Sequence, residues 1–313
     1  MLSDCGAAEV ESWPVGVLRG QGYGRVKRGG IFILQHRPDD GALAIPIVPR
    51  AFGTAQIAVK ARAGRSVIDT FRTSGSLKVL WPRSATRLDG IVINTAGGVT
   101  GGDRMDLRAT VGAGAHLGLT TQAAERAYRA DSGTARVTSE VTVGEGAALS
   151  WLPQELILFD GAALDRRLRV DLADSARLLL VEPVVLGRAA MREQLRDVAF
   201  FDRIAVNRGG VPLYRDAIRL SGDVQALMAR RAIGRSGARG AGAMALVLYV
   251  APDAEAHLTP VRSLLPATGG ATLLQPDVLA VRMLAPDSFE LRRALLPVLD
   301  RLSEDTLPAS WRL

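Results

Sequence analysis

The chain has 313 residues, 48% hydrophobic and 23% charged, enough apolar mass for a large core and too much for bulk disorder. No run of about 18 apolar residues occurs, which excludes a transmembrane helix; the lone Cys5 excludes an internal disulfide and a cysteine-built zinc site. Net charge is +7, but lysine occurs only at Lys27, Lys60 and Lys78, so 36 of the 39 basic residues are arginines, and they are mixed with acids along the chain. With aromatics at 5% there is little to stack on bases, so an acidic protein partner fits this charge better than nucleic acid.

Residues 1–20 are broken by Pro14 and lack the plan of a signal or transit peptide. They read as a poorly ordered tail ahead of one β-rich domain over 21–313, in a reducing, cytoplasmic setting. From Ala55 onward, short alternating apolar runs between glycine or Asp/Asn turns predict strands, as in QIAVKARAG, GIVINTAGG and DLRATVGAG. Within this region TVGAGAHLGL (110–119) recurs as TVGEGAALSW (142–151) and, degraded, as DLADSARLLL (171–180). Val111, Val143 and Leu172 match, as do Ala115, Ala147 and Ala176, and Leu117, Leu149 and Leu178. Each copy reads as a hairpin-like unit, strand, small-residue reversal, strand. A lone hairpin cannot bury its apolar face, so the copies are expected to stack.

Toward the C-terminus, AMALVLYV (243–250) and VLAVRM (278–283) read as buried strands, and 253–265 and 287–302 as helices. Asp287 or Ser288 can cap the second helix, and Pro297 predicts a kink or break within it. Residues 233–242 are flexible by composition. The predicted class is mainly β: a β-helical or superhelical stack of short strands and hairpins, with two helices in the part 243–313.

Four stretches could carry chemistry. NTAGGVTGGD (94–103) has the glycine spacing of a phosphate loop, but Asp103 and Arg104 stand where Lys and Ser/Thr belong. Its glycines 97, 98, 101 and 102 are expected to need positive φ. LTTQAAERAYR (119–129) combines polar side chains with a short helix-like segment, and Glu155, Asp160 and Glu182 interrupt apolar runs. Such carboxylates must be paired, bound to a cation or exposed to a water-filled passage, and for each a plain ion pair with an arginine stays open. His36, His116 and His257 have no metal-ligand spacing, and no serine sits in a nucleophile elbow. The residues lean away from an enzyme; a stand-alone metal-dependent enzyme and a basic nucleic-acid-binding module are the competing readings.

NTAGGVTGGDR, LTTQAAERAYR, WLPQELILFDGA and LLLVEPVVLGRAAM, in that order and closed by LPASWRL, resemble the urease accessory protein family UreD, also called UreH. The resemblance runs from about residue 55 to the end. Departures are small: Arg192-Glu193 stands where the family often has Gly-Glu, and Asp216 where it often has Glu. Residues 1–50 carry no matched motif. The resemblance implies a non-enzymatic urease maturation factor of β-helical fold with two helices. Its partners would be apo-urease, UreF and, through UreF, the GTPase UreG, with no nucleic acid or membrane. It further implies an internal water-filled passage, with no stable cofactor and nickel only in transit. On matched positions the lining candidates are Asp103, Glu125, Glu155, Asp160, Glu182 and Asp216. Carboxylates release nickel faster than a His/Cys cage, which suits a conduit.

Overall fold

The computed structural model describes residues 49–83, 87–224, 226–227 and 241–312, so the expectations for 1–20 and for 233–240 lie outside the described residues. The chain enters as β1 (Phe52–Arg62), turns back as β2 (Arg65–Gly75), and crosses to a second sheet as β3 (Leu77–Leu80) and β4 (Leu88–Asn94). Three coils follow. Each runs up the first sheet, turns on small residues and continues in the second: β5 (Arg104–Val111) into β6 (His116–Thr121) and the short β7 (Glu125–Ala127), β8 (Ala135–Val143) into β9 (Ala148–Leu152) and β10 (Leu156–Leu158), and β11 (Ala163–Leu172) into β12 (Arg177–Leu186). The first sheet is completed by β13 (Val198–Arg208) and β14 (Val211–Gly222). The second is completed by β15 (Ala243–Val250), β16 (Gly269–Gln275) and β17 (Val278–Ala285), interleaved with helices α1 (Ala254–Leu264) and α2 (Ser288–Ser303).

Seven strands make the first sheet, in the order β14-β13-β11-β8-β5-β1-β2, and ten the second, with main path β16-β17-β15-β12-β9-β6-β4-β3. The coils pair in parallel, while β2, β14, β3 and β15 each run against their neighbours. The stacking of repeats is borne out to the residue. Val111 faces Val143 and Val143 faces Leu172 in the first sheet; Leu117 faces Leu149 and Leu149 faces Leu178 in the second. The hairpin within each copy is not found. Its two strands lie in different sheets and pair with the next copy, because an apolar face buried between two sheets removes more surface from water than a two-stranded ribbon can. The short helix-like segment expected within 119–129 is not helical either: β6 ends at Thr121, residues 122–123 bend, and Glu125–Ala127 pairs with Leu156–Leu158, a pairing that overrides local propensity.

One core lies between the sheets, with Ile57, Leu117, Leu149, Leu180 and Phe200 fully buried. A second lies between the outer face of β12, β15 and β17 and the helices, which explains why β12 and β15 read as near-continuous apolar runs. In α2 the stripe Leu291, Leu295, Val298, Leu299, Leu302 is buried, and Asp287 caps the start by accepting from the Glu290 amide. The helix runs unbroken through Pro297, which is exposed, so the gap in the hydrogen-bond ladder faces water. No described helix is long and apolar enough to cross a membrane.

The glycine loop 94–103 packs against the next coil. Gly97, Gly98 and Gly102 have positive φ as expected, but Gly101 does not. Its constraint is close approach: a Cβ there would sit 2.2 Å from the Ser132 carbonyl oxygen and 2.7 Å from that of Gly133. Gly101→Ala is therefore expected to cost about 1–3 kcal/mol, by forcing two backbone segments apart. An unchanged melting temperature would refute this packing.

Candidate functional site

The alternation that builds the core also carries charges into it. Across the first sheet the inward row reads Met105, Val137, Arg166, Asp202, Ile218, each residue in register with the next. Arg166 lies in line with buried Leu164, Leu168 and Val170, and Asp202 with buried Phe200, Ile204 and Val206. From the facing sheet, β12 adds Glu182 on the side of Leu178, Leu180 and Val184.

These charges meet. Arg166 donates to Asp202 through Nε (2.9 Å, Oδ1) and Nη2 (2.6 Å, Oδ2), and its Nη1 lies 2.7 Å from Glu182 Oε2. The last contact is an ion pair off the N–H direction, and among the described residues no donor points at that oxygen. The other Glu182 oxygen accepts from Trp151 Nε1 at 2.7 Å. Burial, with Asp202 adding to it, pushes the Glu182 carboxyl up from its ordinary value against the pull of Arg166 and Trp151. Arg166 shifts upward as well: burial opposes its charge, but the two carboxylates outweigh that penalty.

Two cavities adjoin this cluster. One, of about 130 Å³, is bordered by Thr121, Glu125, Ser139, Trp151, Arg166 and Glu182. The other, of about 340 Å³, is bordered by Glu182, Asp202, Asp216, Met244, Thr268 and Arg282. Glu182 borders both. Glu125 is held by Asn94 Nδ2 at 3.3 and 3.5 Å and by the Arg126 amide at 3.2 Å, and burial raises its carboxyl. Asp216 Oδ2 lies 2.6 Å from Arg282 Nη2.

The six sequence-selected carboxylates thus divide. Glu125, Glu182 and Asp216 border the cavities, whereas the other three brace the fold. Asp103 accepts from the amides of Ala51 and Thr100, both at 2.8 Å, and pins the glycine loop to the start of β1. Glu155 is buried against Arg292 Nη1 at 2.8 Å. Asp160 accepts from the Arg196 and Asp197 amides and pairs with Arg129 at 2.5 Å. Although burial alone would raise the Asp160 carboxyl, these partners hold it below the usual range. Arg166, Asp202 and Trp151 were not selected from sequence; the signal for the first two is a charge at the inward phase of an alternating strand.

Among the described residues no group of three or more His, Cys, Asp or Glu is placed to hold a metal ion. His257 pairs with Asp253 at 3.2 Å. His116 lies 3.4 Å from Ser150 Oγ in a cleft of about 400 Å³ that Arg87 and Arg177 also border, and His36 lies outside the described residues.

The fold is thus a two-sheet β-solenoid flanked by a helical layer, with a charged cluster set in its core between two cavities. The family model "UreD urease accessory protein" matches residues 51–312. The urease accessory protein UreD of Roseobacter denitrificans is 49% identical over 266 residues, 85% of this chain and 96% of that protein. Those of Rhizobium etli and Agrobacterium fabrum are 44% and 41% identical over 266 residues, each spanning 84% of this chain and respectively 96% and 92% of the relative. The chain belongs to the UreD family of urease accessory proteins.

Proposed function

We propose that this chain is a non-catalytic scaffold of urease maturation that binds apo-urease and UreF and, through UreF, the GTPase UreG, whose hydrolysis cycle releases the nickel. Nickel bound for the urease active site crosses its interior between the two cavities. The observation that carries this reading is the line Glu125, Glu182, Asp216: three carboxylates bordering two cavities that share Glu182. Oxygen ligands of this kind hold Ni²⁺ weakly and exchange it quickly, as cargo in transit requires. The single cysteine suits a reducing cytoplasm.

Glu125→Gln tests the passage. Its carboxylate is held by neutral donors, Asn94 and a backbone amide, so the amide replacement keeps size and most contacts while removing a charge. The variant is expected to co-purify with UreF and urease as wild type does. Activation of co-expressed urease at limiting nickel should fall several-fold and recover in part at high nickel. Normal activation at limiting nickel would overturn the passage reading, and loss of co-purification would make Glu125 structural.

A further inference from the structure

We propose that Arg166 is a resident stand-in for a metal ion: it occupies the place that a divalent cation takes between Glu182 and Asp202, and the arriving cation displaces it. The identity of that cation as nickel rests on the passage reading above; the exchange itself rests on the geometry of the cluster.

Glu182 and Asp202 are 6% and 3% exposed, and one guanidinium joins them across the gap between the sheets. When both are ionised, two negative charges face one positive charge at a buried site. A divalent cation in the same place balances the pair, as the monovalent guanidinium does not. Glu182 Oε2 has the ion-pair distance to Arg166 but, among the described residues, no hydrogen bond directed at it, so one buried lone pair is open to a better partner. Trp151 holds the other oxygen, so the carboxylate keeps its orientation whichever cation is present.

Arg166 also has somewhere to go. Its side chain borders the smaller cavity. In the metal-free protein the arginine prevents two carboxylates from being buried without a counter-charge. When the metal leaves, its return refills the place. Loading and release are thus an exchange of cations rather than the filling and emptying of a hole. Wild type is therefore expected to hold the ion weakly.

The test is equilibrium dialysis of the purified full-length chain against Ni²⁺ alone. Arg166→Met is expected to bind one ion at least about tenfold more tightly than wild type, a difference of roughly 1.4 kcal/mol or more. Adding Glu182→Gln and Asp202→Asn to it should abolish the gain. Unchanged affinity in Arg166→Met, or a gain that survives in the triple variant, would overturn the proposal. If Arg166→Met does not fold, Arg166→Lys serves: lysine cannot make the two-pronged contact with Asp202, so a smaller gain in the same direction is expected, read as a larger Ni²⁺-induced rise in melting temperature than wild type shows. No such gain overturns the exchange. A tight site in these variants together with normal urease activation by Glu125→Gln would remove the passage and leave the exchange standing.

Discussion

Trp311→Ala is expected to lower the unfolding free energy by about 3–5 kcal/mol, the range for truncating a large buried aromatic. Among the described residues Trp311 is the largest fully buried side chain, although it stands two residues from the end of the sequence. Its Nε1 donates to the Leu152 carbonyl at 2.9 Å, which ties the C-terminus to the end of β9. Its ring centroid lies 5.0 Å from the Arg292 guanidinium, and that group bonds Glu155, Gln154 and the Trp311 carbonyl. Removing the ring opens a cavity, leaves a buried carbonyl without its donor and loosens the counter-ion of a buried glutamate. Trp311→Phe keeps an aromatic ring and most of the volume but loses the hydrogen bond and some packing, so a smaller cost of about 1–3 kcal/mol is expected. Urea unfolding of both variants decides: equal midpoints for Ala and wild type would refute the role.

The second large effect is on pH dependence. Burial, with the Arg87 and Arg177 charges adding to it, lowers the His116 pKa from 6.5 to about 4. A base whose pKa falls on folding binds fewer protons in the native state than in the unfolded state between those two values. Its contribution is fully present above pH 6.5 and is lost as pH falls toward about 4, in all about 3 kcal/mol at 1.36 kcal/mol per unit. His116→Gln keeps a polar side chain near Ser150 but cannot take the proton. The drop in stability from pH 7 to pH 4 should therefore be shallower in the variant by about that amount. Parallel curves in urea titrations across that range would show that the imidazole is not held neutral.

The repeat offsets of 32 and 29 residues, visible in the sequence, are the registers at which the three copies pair in both sheets, because a parallel coil places each residue on its homologue one turn away. The reversal within each copy was legible; its geometry was not, since Gly-x-Gly turns serve an arch between sheets as well as a hairpin. At the site, Glu182 stood out as an acid in an apolar run. Its partners did not: Arg166 and Trp151 lie on other strands, and only the fold sets them against it. Asp202 was readable in principle, since FFDRIAV puts it in phase with Phe200 and Ile204. A carboxylate after a glycine turn, as at Asp103, looks the same in sequence whether it serves a ligand or two backbone amides.

The strands that run against the stack at its ends set the length of the column of coils. A column of parallel coils presents the same edge at every level, so nothing in the repeat itself says where to stop, and a second copy could continue it. Here β2 and β14 close the first sheet, and β3 and the β15–β17–β16 meander close the second, each reversing chain direction. The outermost edges of the first sheet are also poor templates: β2 carries Arg65, Asp69 and Arg72, and β14 carries Pro212, Arg215 and Arg219. A neighbouring chain meets reversed polarity and charge where the next coil would dock. These strands therefore end the column of coils among the described residues and make it a poor template for growth end to end as a fibre.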